Sequence, residues 1–116
     1  MITKGIRGAT TIDANTSEAI EEATIELLNQ LIAKNNIQKD AISHVIFTVS
    51  KDINAAFPAK FAREQLGWGK VAMMCFHELD VPDALQMCLR VMIVLNSRDD
   101  FQPEFVYLKG AENLRK

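Results

Sequence analysis

Apolar residues recur along the chain with two periods, one typical of helices and one typical of strands. Between Ser17 and Asn35 they recur every three to four residues and form one face of a long amphipathic helix. Pro58 suits a first helical position and Gly67 suits a stop, so a shorter helix is predicted over 58–66. Apolar runs rich in β-branched residues predict five strands, at 2–12, 43–50, 71–76, 87–95 and 105–108.

The order of these elements indicates an α+β fold, a five-stranded mixed sheet with helices on one face. Residues 1–116 are expected to form a single domain. The strand at 87–95 is apolar on both sides, with Leu89 and Val91 on one and Met92 and Val94 on the other. Both sides should therefore be buried, and one layer of helices can cover only one of them. Oligomerisation is the expected way to cover the second side.

Arg90 is the single charged residue in the apolar run 87–95. A guanidinium keeps its proton at ordinary pH, so it cannot escape burial by becoming neutral. A buried charge without a partner costs on the order of several kcal/mol. Arg90 therefore needs an anion, supplied either by a glutamate of the protein or by a ligand. The residues alone leave both interpretations open.

Composition limits the possible partners. The net charge is −2, with no basic stripe or tail, which argues against nucleic acid as the main partner. No apolar stretch is long enough to span a membrane, and the N-terminus has no signal-peptide core. The two cysteines and two histidines have no metal-site spacing, so no metal and no cofactor are assigned. A cytoplasmic location is expected.

Other polar residues each have a plain structural interpretation beside a functional one. Arg7 lies between two glycines that are expected to interrupt the first strand; it could face solvent or a ligand. Lys60 and Arg63 share one helix face, although Lys60 could simply pair with a surface glutamate at position 64. Cys75 and Glu78 would point to opposite faces of a continuous strand, and they could converge only if the chain bends after residue 76. No nucleophile–base arrangement is indicated.

Several short stretches together carry a family resemblance. Each alone is a weak signal, but their order and spacing make a specific one. The chain resembles the small monofunctional chorismate mutases, the family with a trimeric pseudo-α/β barrel. The stretches are Gly5-Ile6-Arg7-Gly8-Ala9-Thr10-Thr11, Phe57-Pro58-Ala59-Lys60, Arg63-Glu64, Gly67-Trp68, Cys75, Glu78-Leu79-Asp80-Val81, Cys88-Leu89-Arg90-Val91-Met92, Val106-Tyr107-Leu108 and Leu114-Arg115.

The resemblance implies a reaction and roles for the residues. Chorismate would rearrange to prephenate by an intramolecular Claisen shift, in phenylalanine and tyrosine biosynthesis, without a covalent intermediate. Arg90 would donate to the ether oxygen and to a substrate carboxylate. Arg7 and Tyr107 would hold carboxylates, and Glu78 with Cys75 would hold the ring hydroxyl.

The resemblance also implies a homotrimer whose sites lie at the subunit interfaces. The neighbouring subunit would supply Phe57, Ala59, Lys60 and Arg63, and a tail with Leu114 and Arg115 would order over the pocket. Met74 stands where the family often has threonine, which removes a side-chain hydroxyl there but not a backbone contact. His77 replaces a more usual glutamine. The chain stops at residue 116, where relatives usually continue, so weaker closure of the tail is expected.

Two other functions stay open at this stage. A trimeric imine or enamine deaminase of the same architecture would also use an interface arginine for a carboxylate. A non-catalytic binder of small carboxylates would use the same pocket without turnover. The combination of Glu78, Arg90 and Tyr107 favours the mutase over both.

Overall fold

The structure, a computed structural model, describes residues 1–114 and contains one five-stranded mixed sheet with the strand order β3-β2-β4-β1-β5. The α+β prediction is confirmed, with both α-helices on one face of the sheet. No helix in the described part of the chain is long and apolar enough to cross a membrane. The elements are β1 (Ile2–Thr11), α1 (Ser17–Asn35), β2 (Ile42–Val49), α2 (Pro58–Gln65), β3 (Ala72–His77), β4 (Cys88–Ser97) and β5 (Val106–Tyr107), with short 3₁₀ turns at Lys39–Ala41 and Lys109–Ala111.

Helix α1 begins and ends where its capping residues place it. The Oγ1 atom of Thr16 accepts a hydrogen bond from the Ala19 N–H at 3.1 Å. Asn36 adopts the left-handed conformation, with φ of 49°, and its N–H donates to the Ile32 carbonyl. Because these local contacts satisfy backbone groups that the helix leaves free, the bounds predicted from the sequence are confirmed.

Strand β1 runs without a break through both of its central glycines, so the predicted interruption is wrong. Gly8 has a packing role instead. A Cβ atom there would lie 2.8 Å from Cδ1 of Leu31 and 3.2 Å from Cδ1 of Leu27. The missing side chain therefore lets α1 pack directly onto the sheet.

The two faces of β4 differ in burial within one chain. Leu89, Val91 and their alternate neighbours are at most 4% exposed beneath the helices. On the opposite face Met92 is 39% exposed in one chain, and this is the side for which burial by a second chain is expected. One end of that face is covered by the C-terminal segment, where Ala111 packs on Cys88.

The C-terminal end of the central strand β4 and the edge strand β5 differ most from the predicted strands. Strand β4 continues to Ser97, two residues beyond its predicted end, because it pairs with β1 along that strand's whole length. Strand β5 is only two residues long and pairs with β1 at Gly8 and Ala9. After β5 the backbone turns away at Lys109, whose φ is 50°.

Candidate active site

A row of directly paired residues crosses the sheet on the face away from the helices. Arg90 pairs with Thr48 of β2 on one side and with Ala9 of β1 on the other. The row continues to Phe76 of β3 and Tyr107 of β5. Paired residues in neighbouring strands project from the same face. The register therefore brings side chains from five strands to one line, with Arg90 at its centre.

Glu78, two residues beyond Phe76, contacts Arg90 beside this row. Its Oε2 atom lies 3.8 Å from Nε of Arg90 and accepts a hydrogen bond from Oγ1 of Thr48 at 3.1 Å. The Glu78 N–H donates to the Val49 carbonyl at 2.9 Å, which holds the residue against β2. The side chains of Arg90 and Glu78 are 32% and 41% exposed, so Arg90 is less buried in one chain than the sequence indicated.

Arg90 also influences the thiol beside it. Burial raises the pKa of Cys88, and the positive charge of Arg90 opposes that shift only in part. Cys88 therefore stays a neutral thiol at ordinary pH and leaves the guanidinium charge uncompensated from that side. The glutamate contact is the single ion pair of Arg90 within residues 1–114.

A cavity of about 150 Å³ gathers four of the predicted substrate-binding residues. Arg7, Arg90, Glu78 and Tyr107 all line it. The Oη atom of Tyr107 is buried and has no hydrogen-bond partner in the described chain. A buried hydroxyl without a partner is unfavourable, so an acceptor supplied by a ligand in this cavity would stabilise it. A neighbouring cavity of about 250 Å³ shares Arg90 and Glu78 and extends along the loop between β3 and β4.

A second group of predicted site residues lies in a different place. Phe57, Lys60 and Cys75 line a separate cavity of about 570 Å³ beside the start of α2. Burial raises the pKa of the Cys75 thiol, while a hydrogen bond with the backbone of Ala59 opposes the shift. Phe57 is 71% exposed, although it is a large apolar residue. One chain thus presents Phe57, Ala59, Lys60 and Cys75 as a group of their own.

Strand alternation separates Cys75 from Glu78. Strand β3 runs straight through His77, and Glu78 continues its pairing with β2. The bend that would bring Cys75 and Glu78 together is not formed, so the two side chains lie on opposite faces of the sheet. Met74 is 61% exposed and lies on the same sheet face as Arg7. Three strand spacings, about 14 Å, separate the two residues, so Met74 does not join Arg7 within one chain.

The remaining predicted residues have simpler positions. Arg63 is exposed on α2. Within residues 1–114 Lys60 forms no ion pair with Glu64; its ammonium lies 5.7 Å from the centre of the Phe61 ring instead. Leu114 packs beside Tyr107 on the cluster formed by Ala9, Cys88 and Ala111. Arg115 lies outside the described residues.

Sequence reasoning missed the polar residues that hold this site. Thr48 fixes the Glu78 carboxylate, and its signal was a lone hydroxyl in the apolar run of β2. Asp52 accepts hydrogen bonds from Ser50 and from the backbone of Met87 just before β4, which no sequence spacing indicates. No group of three or more metal-ligating side chains occurs within residues 1–114.

Comparisons with known proteins agree with one another. Residues 3–116 match the family model described as chorismate mutase type I. The chain is 36% identical over 116 residues to chorismate mutase AroH of Bacillus subtilis strain 168, covering 99% of this chain and 91% of that protein. It is 40% identical over 114 residues to chorismate mutase AroH of Thermus thermophilus, covering 97% and 93%. A solved chorismate mutase structure from Clostridium thermocellum superposes with a TM-score of 0.88 at 46% identity, covering 93% of this chain and 96% of that one.

Proposed function

The chain belongs to the chorismate mutase type I family, and from this membership we propose that it rearranges chorismate to prephenate at the cavity around Arg90. The reaction is intramolecular: an ether C–O bond breaks while a C–C bond forms in the same molecule. No atom leaves, and no proton or electron is exchanged with the protein. Catalysis then rests on holding the reactive conformer and on stabilising the charge of the transition state.

Arg90 is the residue proposed to stabilise that charge. Negative charge grows on the ether oxygen as its bond to carbon breaks, and a planar guanidinium suits this role. Glu78 approaches Arg90 at Nε, at 3.8 Å, and no other ion pair in residues 1–114 engages the guanidinium. The central place of Arg90 in the row of paired residues is the observation that carries this proposal.

The other residues around the cavity match the remaining groups of the substrate. Arg7 and Tyr107 line the same cavity as Arg90 and are proposed to donate to the two carboxylates. Glu78 is proposed to accept from the ring hydroxyl, with Thr48 holding its carboxylate. The unsatisfied hydroxyl of Tyr107 supports this arrangement, because a carboxylate would give it an acceptor.

The site is proposed to be complete only in a homotrimer. The Arg90 face exposes large apolar side chains, with Met74 at 61%, Phe76 at 47% and Met92 at 39%. Patches of this kind on a sheet face are typical of interfaces. A second chain on this face would bring its own Phe57, Ala59, Lys60, Arg63 and Cys75 to the cavity, and Leu114 with Arg115 would close over it.

Direct observation of the reaction tests this function. Purified protein is mixed with chorismate, loss of the ultraviolet absorbance of chorismate is followed, and the product is identified by NMR spectroscopy. The proposal expects turnover with prephenate as the single product. A folded, assembled protein that leaves chorismate unchanged would contradict it, and an imine substrate would then test the deaminase alternative. Binding without turnover would instead support a carboxylate-binding module.

A further inference from the structure

The strand that carries Arg90 begins at a backbone turn held by the carboxylate of Asp52. The residue at this turn is Met87, whose φ of 50° lies in the left-handed region that side-chain-bearing residues seldom adopt. Its N–H donates to Oδ1 and Oδ2 of Asp52 at 3.2 and 3.0 Å. Its carbonyl accepts from the Ile12 N–H at 2.7 Å. The peptide groups on both sides of the Met87 Cα atom are therefore held by hydrogen bonds.

Ser50 extends this contact to the first residue of β4. Its hydroxyl donates to Oδ1 of Asp52 at 2.5 Å and accepts from the Cys88 N–H at 2.9 Å. The Ser50 N–H donates to the Cys88 carbonyl at 3.0 Å. Arg90 is two residues further along and projects from the same sheet face as Cys88. Any shift of the Asp52–Met87 contact therefore passes along a short, hydrogen-bonded segment to Arg90.

We propose that Asp52 is a positioning residue for Arg90, fixing the start of β4 so that the guanidinium lies beside the reacting oxygen. This inference rests on the proposed function. A carboxylate suits the position because it only accepts, and all three of its contacts are with donors. Burial acts against the charge, yet the hydrogen bonds from Ser50 and from the Met87 N–H hold the pKa of Asp52 below its usual value, so it is ionised at neutral pH.

A purely electrostatic role for Asp52 would change the kinetic constants differently from a positioning role. Asp52 lines the 250 Å³ cavity together with Arg90. If it acted only as a nearby negative charge, removing it would favour binding of a dianionic substrate and lower KM. A positioning role instead lowers kcat, because Arg90 stays present but is misplaced at the moment of reaction.

The experiment compares wild type, Asp52→Asn and a control, Asp100→Asn, by steady-state kinetics with chorismate. Asp100 is an exposed aspartate near the opposite end of β4, paired with Arg98. Asp52→Asn should lower kcat by about ten- to a hundredfold and change KM by less than about threefold. Asp100→Asn should match wild type. Ser50→Ala should shift kcat in the same direction, and thermal unfolding establishes that each variant is folded.

A double-variant cycle then shows whether Asp52 acts through Arg90. In the Arg90→Lys background, Asp52→Asn should lower kcat by less than about threefold, because the group that it positions is already gone. The proposal is overturned if kcat is unchanged, if KM falls while kcat is kept, or if the two losses multiply. A wild-type protein without turnover would instead contradict the proposed function, and this outcome is separate from all of these.

Discussion

The Nε atom of Arg90 lies 3.8 Å from Oε2 of Glu78, although the two residues belong to segments separated by a whole strand of the sheet. Thr48, on the strand between them, donates to the same oxygen at 3.1 Å. The contact keeps both charged groups at the cavity without enclosing either of them. A guanidinium in this position can exchange part of its interaction with Glu78 for an interaction with a substrate oxygen.

Tyr107→Phe should affect stability and binding in opposite directions. The hydroxyl of Tyr107 is buried without a partner in residues 1–114, so its removal should raise the free energy of unfolding by up to about 1 kcal/mol. The same change removes a donor to a substrate carboxylate, and KM should rise by about five- to tenfold. Chemical unfolding and steady-state kinetics measure the two effects. Lower stability together with unchanged KM would show that the hydroxyl is bound within the protein.

Shared sites can be tested by mixing two inactive variants. Arg7→Ala removes a residue of the Arg90 cavity, and Lys60→Ala removes one from the separate Phe57 cavity. If a site combines the two cavities from different chains, roughly a quarter of the sites in a random mixed oligomer are intact. Refolding an equal mixture should therefore recover activity that neither variant shows alone. Mixed oligomers of normal size without any recovery would refute sites shared between subunits.

Asp52 should make the protein sensitive to acid. Burial opposes its charge, but hydrogen bonds from Ser50 and Met87 outweigh that effect and lower its pKa from the ordinary 3.8, with a smaller contribution from the charge of Lys51. A carboxylate whose pKa is lowered by folding stabilises the fold fully above its unfolded-state pKa. This stabilisation is lost as the pH falls through its folded-state pKa. At pH 7, Asp52→Asn should be less stable than wild type by on the order of 1–2 kcal/mol.

The same difference should shrink as the pH falls below the ordinary carboxyl pKa of 3.8 and towards the lowered pKa of folded Asp52, because the unfolded chain takes up the proton first. Urea unfolding at pH 7 and pH 3, at one protein concentration, measures both values. A stability difference that stays constant over this range would exclude ionisation of Asp52 as its source.

Gly8→Ala should destabilise the fold. The new methyl group would lie 2.8 Å from Cδ1 of Leu31 and 3.2 Å from the Val106 carbonyl oxygen, so the packed Leu31 side chain or the neighbouring backbone must shift. The expected loss is about 1–3 kcal/mol in the free energy of unfolding. Gly69→Ala is the matched control, because its methyl group would meet only Cγ of Arg63, at 3.8 Å. Equal stabilities for the two variants would contradict the packing role of Gly8.

Local signals explain which parts of the fold could be predicted from the sequence. Thr16, Asn36 and Pro58 act within a few residues of themselves, and the bounds predicted for α1 and the start predicted for α2 agree with the structure. The strand order and the two-residue length of β5 depend on pairing between distant segments, which periodicity does not encode. The predicted break in β1 failed because Gly8 serves packing against a helix rather than a bend in the strand.

The candidate site was predictable only in part for the same reason. An arginine in an apolar strand requires an anion, but the identity of Glu78 as that anion depends on the register of three strands. The grouping of Arg7 and Tyr107 with Arg90 came from family resemblance, and the sheet register gives its physical basis. The opposite-face position of Cys75 followed from strand alternation, because no bend occurs in β3.

Replacement of Arg90 tests the central claim most directly. Steady-state kinetics with chorismate compare wild type, Arg90→Ala and Arg90→Lys, each established as folded and assembled. Arg90→Ala should lower kcat/KM by at least about 10²–10³-fold, the usual effect of losing one such donor. Arg90→Lys should remain severely impaired, because an ammonium cannot reproduce the planar fork. A loss of less than about tenfold in Arg90→Ala, or near wild-type activity in Arg90→Lys, would contradict the role of Arg90.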